Sequence, residues 1–259
     1  MNFIRTYYKT LIFFIIVGLV GGFFTGLYLI DSYPEEIVNQ LQEQIRANGL
    51  DYIPLNILLG VVTALQSAGY GLVLGTVGIL LGKKIGLWRD EIDISKKPLI
   101  ISILISVICG VAMILPDIFF FGKYSDAIME SYSAKPTIPY ILATISYGAV
   151  IEEVMLRLFA MSLVAFILFK LFEKNKSQPS VIILVIANII TSILFGLGHL
   201  PTTFIMIGDS PIIIFRCLLL NGSLGLAFGR LYRKYGLRYA MIAHGGCHIV
   251  SKLIWLLFI

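Results

Sequence analysis

The sequence predicts an all-α protein, a polytopic membrane helix bundle with seven to eight transmembrane helices. Two of the observations are compositional: 58% of the 259 residues are apolar and only 14% are charged, against about 25% charged residues in soluble domains. The third is a mean hydropathy of +0.91, produced by apolar runs long enough to cross a hydrocarbon core of about 30 Å. The polar stretches between those runs are too short to fold alone in water. A soluble catalytic domain, a dinucleotide-binding domain and a nucleic-acid module are therefore excluded.

The apolar runs give the order of the predicted helices. They cover residues 11–30, 53–82, 98–122, 137–172, 181–199, 211–231 and 237–259. We assign residues 1–136 to N-terminal transmembrane helices with one amphipathic segment. Residues 137–259 are assigned to a membrane core that carries the chemistry, and both parts belong to a single integral domain.

The first run follows two basic residues, as a secretory signal peptide would, but it is too long for one and lacks a small-x-small cleavage site. We therefore interpret it as a retained membrane anchor. Gly18, Gly22 and Gly26 recur at every fourth position, a spacing that lets a second helix approach closely in lipid. The acidic residues 31–51 that follow predict an amphipathic surface helix outside the cytoplasm.

The positive charges predict the orientation in the membrane. Lysine and arginine concentrate before the first run and in three loops, which we call the basic loops. Cytoplasmic loops of membrane proteins carry the excess of these residues, so the N-terminus and the basic loops are predicted to be cytoplasmic. The net charge of +5 therefore reflects topology, and no nucleic-acid partner is expected. The basic loops carry Lys83, Lys84, Arg89, Lys96 and Lys97 in the first, Lys170, Lys174 and Lys176 in the second, and Arg230, Arg233, Lys234 and Arg238 in the third.

The run over residues 137–172 decides the number of crossings. It is longer than one ordinary span, so it is either one long bent helix or two short segments that meet at its charged middle. One crossing keeps all three basic loops on the same side and gives seven spans, which we favour. Two crossings would give eight spans, and this alternative stays open. The composition and the short loops indicate a bacterial inner membrane.

Three charged residues lie near the middle of this run. A charge at mid-membrane costs about 2.5–3.5 kcal/mol on insertion scales, so Glu152, Glu153 and Arg157 need partners or a function. Glu153 and Arg157 are four residues apart and can pair on one helix face, whereas Glu152 points roughly 100° away. The spacing therefore predicts one neutralised glutamate and one free glutamate.

All three histidines of the chain lie in the same half. His199 ends one apolar run, and His244 and His248 are four residues apart, hence on one face of the last. A carboxylate in a membrane cavity can take a proton from water, and imidazoles can orient that water or donate to a developing oxyanion. Cys247 would face away from both neighbouring histidines, so a cysteine nucleophile is not expected. The pattern favours a hydrolase without a covalent nucleophile.

These residues resemble the CPBP family of intramembrane proteins, named for CAAX proteases and bacteriocin-processing enzymes. Glu152, Glu153 and Arg157 match its EExxxR motif, Phe195 and His199 match its FxxxH motif, and His244 matches its HxxxN motif, with His248 where asparagine is usual. The order and spacing of the three motifs agree over residues 137–250. The first half of the chain is similar only in being hydrophobic.

The resemblance implies a helical fold around a water-filled cavity that opens to one membrane face. It implies that Glu152 and His199 activate water, and that His244 and, with a change of residue, His248 stabilise the oxyanion. The second glutamate, the arginine and the motif phenylalanine would support the site. No cofactor is implied, and the substrate would be a membrane-bound protein or peptide, which can be prenylated.

Three functions stay open. The first is an intramembrane endopeptidase with glutamate-activated water. The second is a zinc metalloprotease, because His244 and His248 have ligand spacing and Glu152 or His199 could complete a site. The third is a non-enzymatic bacteriocin-immunity or partner-binding membrane protein. One difficulty concerns all of them: with seven crossings, His199 is predicted to lie nearer the opposite membrane face than Glu152 does.

Overall fold

The structure, a computed structural model, describes residues 3–90 and 94–259, and this part of the chain contains helices and no strands. The α-helices are α1 Phe3–Ser32, α2 Glu35–Ala47, α3 Leu55–Lys84, α4 Lys96–Phe119, α5 Asp126–Glu130, α6 Ile138–Ala143, α7 Ser162–Phe172, α8 Val181–Met206, α9 Pro211–Tyr235 and α10 Leu237–Phe258. A short 3-10 turn, Phe121–Lys123, follows α4.

Seven helical spans in the described residues are long and apolar enough to cross a membrane. This confirms the predicted all-α membrane bundle. Residues Ile138–Phe172 form one continuous span of 35 residues, so the long run is one helix and not two short segments. Seven spans, the lower of the two predicted numbers, describe this part of the chain.

The middle of that long span is not an α-helix. Between α6 and α7 the chain forms two π-helical segments, Thr144–Glu152 and Val154–Met161, and we call the whole element, Ile138–Phe172, the π span. A π-helix closes its hydrogen bonds from residue i to i+5, is wider than an α-helix and is often found at functional sites. The expected α-helical geometry around Glu152 was therefore wrong in detail.

Glycines pack α1 against α3, as their spacing predicts. A Cβ atom added at Gly18 would lie 2.7 Å from the Ser67 backbone oxygen, and one at Gly22 would lie 2.8 Å from the Ala64 Cα. The Thr63 hydroxyl also donates to the Gly22 carbonyl at 2.6 Å. Only hydrogen fits at these positions, because the two backbones are in contact.

The two ends of the bundle differ in charge. At the basic end, Arg89 of the first basic loop donates to the Lys234 carbonyl of the third at 2.8 Å, and the backbone N–H of Ser95 donates to the Tyr239 hydroxyl at 2.8 Å. The amphipathic helix α2, with two glutamates in its first turn and no buried residue, follows α1 at the other end. We call this other end the acidic end.

The second basic loop is fastened to the start of α8. Glu173 accepts hydrogen bonds from Lys176 at 2.8 Å and from the backbone N–H of Ser180 at 2.7 Å. These two contacts lower the pKa of the Glu173 carboxyl to about 2. The Ser180 hydroxyl then caps α8 by accepting from the backbone N–H of Ile183.

Helix α8 is longer than its apolar run. It continues past His199 and through Pro201 to Met206, because transmembrane helices tolerate a proline whose missing hydrogen bond is compensated nearby. His199 therefore lies seven residues before the helix end, roughly 10 Å inside it at 1.5 Å per residue. The prediction that His199 lies near the membrane face was wrong, because the end of the run was taken as the end of the helix.

Candidate active site

A cavity of about 510 Å³ lies among α1, α3, the π span, α8 and α10. Glu152, His199, His244 and His248 all line it. The structure thus brings the four predicted residues to one cavity, although they come from three different spans. The greater length of α8 removes the difference in depth that the sequence suggested.

Glu153 lies behind the cavity wall and is bound from two sides. Its Oε1 accepts a hydrogen bond from His244 Nδ1 at 2.9 Å, and its Oε2 lies 3.4 Å from Arg157 Nε. Arg157 also donates to the Gly225 carbonyl of α9 at 3.2 Å. Glu153 is 0% exposed and Arg157 is 1% exposed. This pair therefore fixes the π span to α9 and α10 through His244, in agreement with the predicted pairing.

Two phenylalanine rings contact the guanidinium and two of the imidazoles of the site. The Arg157 guanidinium lies 4.6 Å from the centre of the Phe195 ring, which also meets the His199 ring edge-on at 4.7 Å. Phe228 stacks on the His244 ring at 4.6 Å. Because these rings leave little room for rotation, they fix the orientation of the imidazoles.

Glu152 is the carboxylate that remains available. Its side chain is 20% exposed, and its Oε2 lies 3.9 Å from His244 Nε2. Within residues 3–90 and 94–259, His244 is the one basic group within ion-pair distance of Glu152. Adjacent positions on the span send Glu152 into the cavity and Glu153 into the protein, so the two carboxylates have different surroundings.

The hydrogen bonds of the histidines decide which ring nitrogens are free. His199 Nδ1 lies 2.8 Å from the Phe195 carbonyl, which can only accept, so Nδ1 carries the proton and the neutral ring keeps a lone pair on Nε2. His244 Nδ1 likewise donates to the Glu153 carboxylate. In both rings Nε2 has no hydrogen-bond partner among the described residues, although His244 Nε2 lies 3.9 Å from Glu152 Oε2.

His248 differs from the other two histidines in the partner of its Nδ1, which is a lysine side chain and not an acceptor oxygen. Its Nδ1 lies 3.4 Å from the ammonium of Lys252, one turn further along α10. When Lys252 is an ammonium it has no lone pair and can only donate, so that His248 Nδ1 then accepts and its proton is on Nε2. A Cβ at Gly148 would lie 3.3 Å from His248 Nε2 and 4.0 Å from His244 Nε2. Gly148 thus leaves space for both rings at the cavity wall.

Lys252 is a site residue that the sequence analysis missed. It is 4% exposed, and its ammonium lies 4.2 Å from the centre of the Tyr140 ring, an arrangement that stabilises a cation. The sequence does contain an indication of its importance. A lysine within an apolar span carries the same insertion cost as the glutamates, and Lys252 is four residues from His248. Three tyrosines of the cavity wall, Tyr28, Tyr140 and Tyr147, gave no such signal.

No group of three His, Cys, Asp or Glu side chains in the described ranges is placed to hold a metal ion. His244 and His248 stack on each other, with ring centres 5.0 Å apart. The three cysteines, Cys109, Cys217 and Cys247, are buried and free.

The cavity thus combines a carboxylate, an imidazole with a free lone pair on Nε2, and an imidazole with a donor on Nε2. The first two can accept the protons of a water molecule, and the third can donate to an oxygen that gains negative charge. This is the set of groups that a direct attack of water on a carbonyl carbon requires.

Residues 134–250 match the family model of the Rce1-like proteins, described as type II CAAX prenyl endopeptidase Rce1-like. Comparisons with curated proteins and with solved structures gave no match. The matched residues include all three motifs and the candidate site residues named above, except Lys252, which follows the matched range, and Tyr28, which precedes it. The resemblance predicted from the motifs is confirmed over residues 134–250, where the chain is similar to the type II CAAX prenyl endopeptidases.

Proposed function

We propose that the protein is an intramembrane endopeptidase that hydrolyses a peptide bond in a membrane-associated or lipidated protein or peptide, and that Glu152 activates the attacking water. The observation that carries the proposal is the contrast between the two neighbouring glutamates. Glu153 is bound by His244 and Arg157, whereas Glu152 points into the cavity that His199 and His248 also line.

In the proposed reaction Glu152 accepts a proton from water, and His199 Nε2 accepts a hydrogen bond from the same water and orients it. The hydroxide attacks the carbonyl carbon of the scissile peptide bond, and the carbonyl oxygen becomes an oxyanion. Glu152 then transfers its proton to the departing amine nitrogen as the carbon–nitrogen bond breaks. One water is consumed, and a carboxylic acid and an amine are released, which ionise in water to a carboxylate and an ammonium.

The oxyanion is stabilised by Nε2 of the two stacked histidines of α10. His248 supplies an N–H there because its Nδ1 accepts from Lys252. His244 stacks on His248, and its Nε2 lies at the same part of the cavity, 3.9 Å from Glu152 Oε2. One positioned oxyanion donor is worth about 10²–10³ in kcat in a well-studied protease.

The test replaces Glu152 by Gln in purified protein in detergent or vesicles, with a mixture of quenched membrane-inserted peptides as substrates. We expect cleavage to fall by about 10²–10⁴-fold, because the amide cannot accept the proton. Glu130→Gln, an exposed glutamate at the acidic end, is the matched control and should retain full activity. Full cleavage by the Glu152→Gln protein, with an unchanged melting temperature, would refute the proposal.

A further inference from the structure

A second cavity shows from which membrane face the site is reached. It has a volume of about 480 Å³ and adjoins the first, with which it shares a wall that includes Tyr28, Tyr140, His199 and Thr202. Its other lining residues include Lys252. The two cavities therefore lead from the candidate catalytic residues toward one end of the bundle.

That end is the acidic end. The second cavity is lined by exposed residues of the last turn of α1 and of the connection between α5 and α6, namely Asp31, Ser131, Ala134, Lys135 and Thr137. Ile207, just beyond the end of α8, lines it as well. Because exposed residues form its wall, the cavity opens to the surroundings here.

The basic end is closed below the site. Leu158 and Met161, which follow Glu152 along the π span toward the second basic loop, are both 0% exposed. The next residue, Ser162, forms a hydrogen bond of 2.9 Å with the Tyr232 hydroxyl of α9. Among the described residues, none from the three basic loops lines either cavity.

The charges of the two ends then set the membrane face. The three basic loops meet at the closed end, and the positive-inside rule places such loops in the cytoplasm. The open end carries α2 with its two N-terminal glutamates and no buried residue. The opening and the basic loops are therefore on opposite faces of the membrane.

We infer that the catalytic cavity opens to the extracytoplasmic face, so that the substrate is a membrane-bound peptide segment whose scissile bond is presented from outside the cytoplasm. The extracytoplasmic position of the opening is inferred from the cavity walls and the charges alone. The nature of the substrate rests on the proposed function. A protein lipidated at its cytoplasmic C-terminus would reach the closed end of the bundle.

The experiment is cysteine labelling with a membrane-impermeant maleimide in right-side-out spheroplasts and in inverted vesicles. The unaltered protein is the background, because its three cysteines are buried. Thr202→Cys reports on the wall shared by the two cavities, Asp209→Cys on the acidic end and Lys174→Cys on a basic loop. All three parent residues are exposed.

We expect Thr202→Cys and Asp209→Cys to be labelled in spheroplasts and Lys174→Cys to be labelled only in inverted vesicles. The inference is overturned if Thr202→Cys reacts only in inverted vesicles, or if Asp209→Cys reacts and Thr202→Cys reacts in neither preparation. It is also overturned if Lys174→Cys reacts in spheroplasts.

Labelling needs no catalysis, so the experiment is repeated with Glu152→Gln added to each cysteine variant. An unchanged labelling pattern together with undiminished peptide cleavage would refute the proposed function and leave the extracytoplasmic opening standing. Loss of cleavage on adding Glu152→Gln, together with labelling of Thr202→Cys from the cytoplasmic side alone, would support the proposed function and refute the extracytoplasmic opening.

Discussion

At the scale of single residues, Lys252 accounts for a histidine at a position where the family motif has asparagine. An asparagine amide always has an N–H to donate, whereas a neutral histidine donates from only one nitrogen. Lys252 Nζ lies 3.4 Å from His248 Nδ1; as an ammonium it donates there and leaves the proton on Nε2, the nitrogen beside Gly148 at the cavity wall. In the proposed mechanism the lysine and the histidine together do what the amide does alone.

A double-mutant cycle tests this pairing. We expect Lys252→Met to lower kcat roughly 10–100-fold with little change in KM, because the oxyanion loses a correctly protonated donor and substrate binding does not. In a His248→Asn background the same Lys252→Met change should lower kcat less than about 3-fold, because the amide needs no second residue. The measurement is steady-state peptide cleavage by the four proteins.

A structural role of Lys252 would give a different result. Lys252→Met would then lower kcat and melting temperature equally in both backgrounds. Lys252→Arg, which keeps a donor on a longer side chain, serves as the conservative variant and should recover part of the lost kcat in the His248 protein only.

Metal removal tests the alternative zinc chemistry at the same residues. Each histidine has its Nδ1 occupied, by the Phe195 carbonyl, by Glu153 and by Lys252 respectively. We expect full peptide cleavage after prolonged treatment with a strong chelator, because in the proposed mechanism Glu152 and His199 activate the water without a metal ion. Loss of cleavage on chelation, with recovery on adding zinc, would contradict the glutamate mechanism.

At the scale of helices, the contact between α1 and α3 depends on glycines whose place a side chain cannot take. Gly22→Leu would force a side chain against the backbone of α3, where Ala64 Cα lies 2.8 Å from an added Cβ. We expect a loss of stability of at least about 1–3 kcal/mol, measured as a lower melting temperature in detergent.

The matched control for this change lies on α3. An added Cβ at Gly69 meets nothing within 4 Å, so Gly69→Leu should leave the melting temperature nearly unchanged. Equal melting temperatures for the two leucine variants would show that the backbone contact between α1 and α3 does not stabilise the protein.

The π span marks the limit of what the sequence predicts about an element. Its length and its charged residues were readable from hydropathy and from the cost of burying charge, and the contact between Glu153 and Arg157 followed from their spacing. The π-helical segments were not predictable, because apolar periodicity does not distinguish a turn closed at i+5 from one closed at i+4. The end of α8 was missed because the apolar run ends at His199, while the helix continues through Pro201 to Met206.

At the scale of the whole molecule, composition and charge predicted the architecture, and tertiary packing determined the cavity. The seven apolar runs correspond to the seven spans found in the part of the chain that the structure describes, and the motifs gave the candidate site residues. Which face of the bundle is open could not be read from the sequence, because Asp31 and Thr137 line the opening only after distant segments are brought together. Charge then assigns that opening to a membrane face.

The seven spans found in residues 3–90 and 94–259 are an odd number, which places the start of α1 and the end of α10 on opposite faces of the membrane. The positive-inside rule puts the start of α1 with the basic loops, so Ile259, the residue after the seventh span, should be extracytoplasmic. Reporter fusions measure this directly in bacterial cells: alkaline phosphatase fused after Ile259 should be active, and the same enzyme fused after Lys174 should be inactive. A cytoplasmic fluorescent protein should give the reverse result at the two positions. An inactive phosphatase after Ile259 would mean an even number of crossings, and hence that one of the seven helices does not span the membrane.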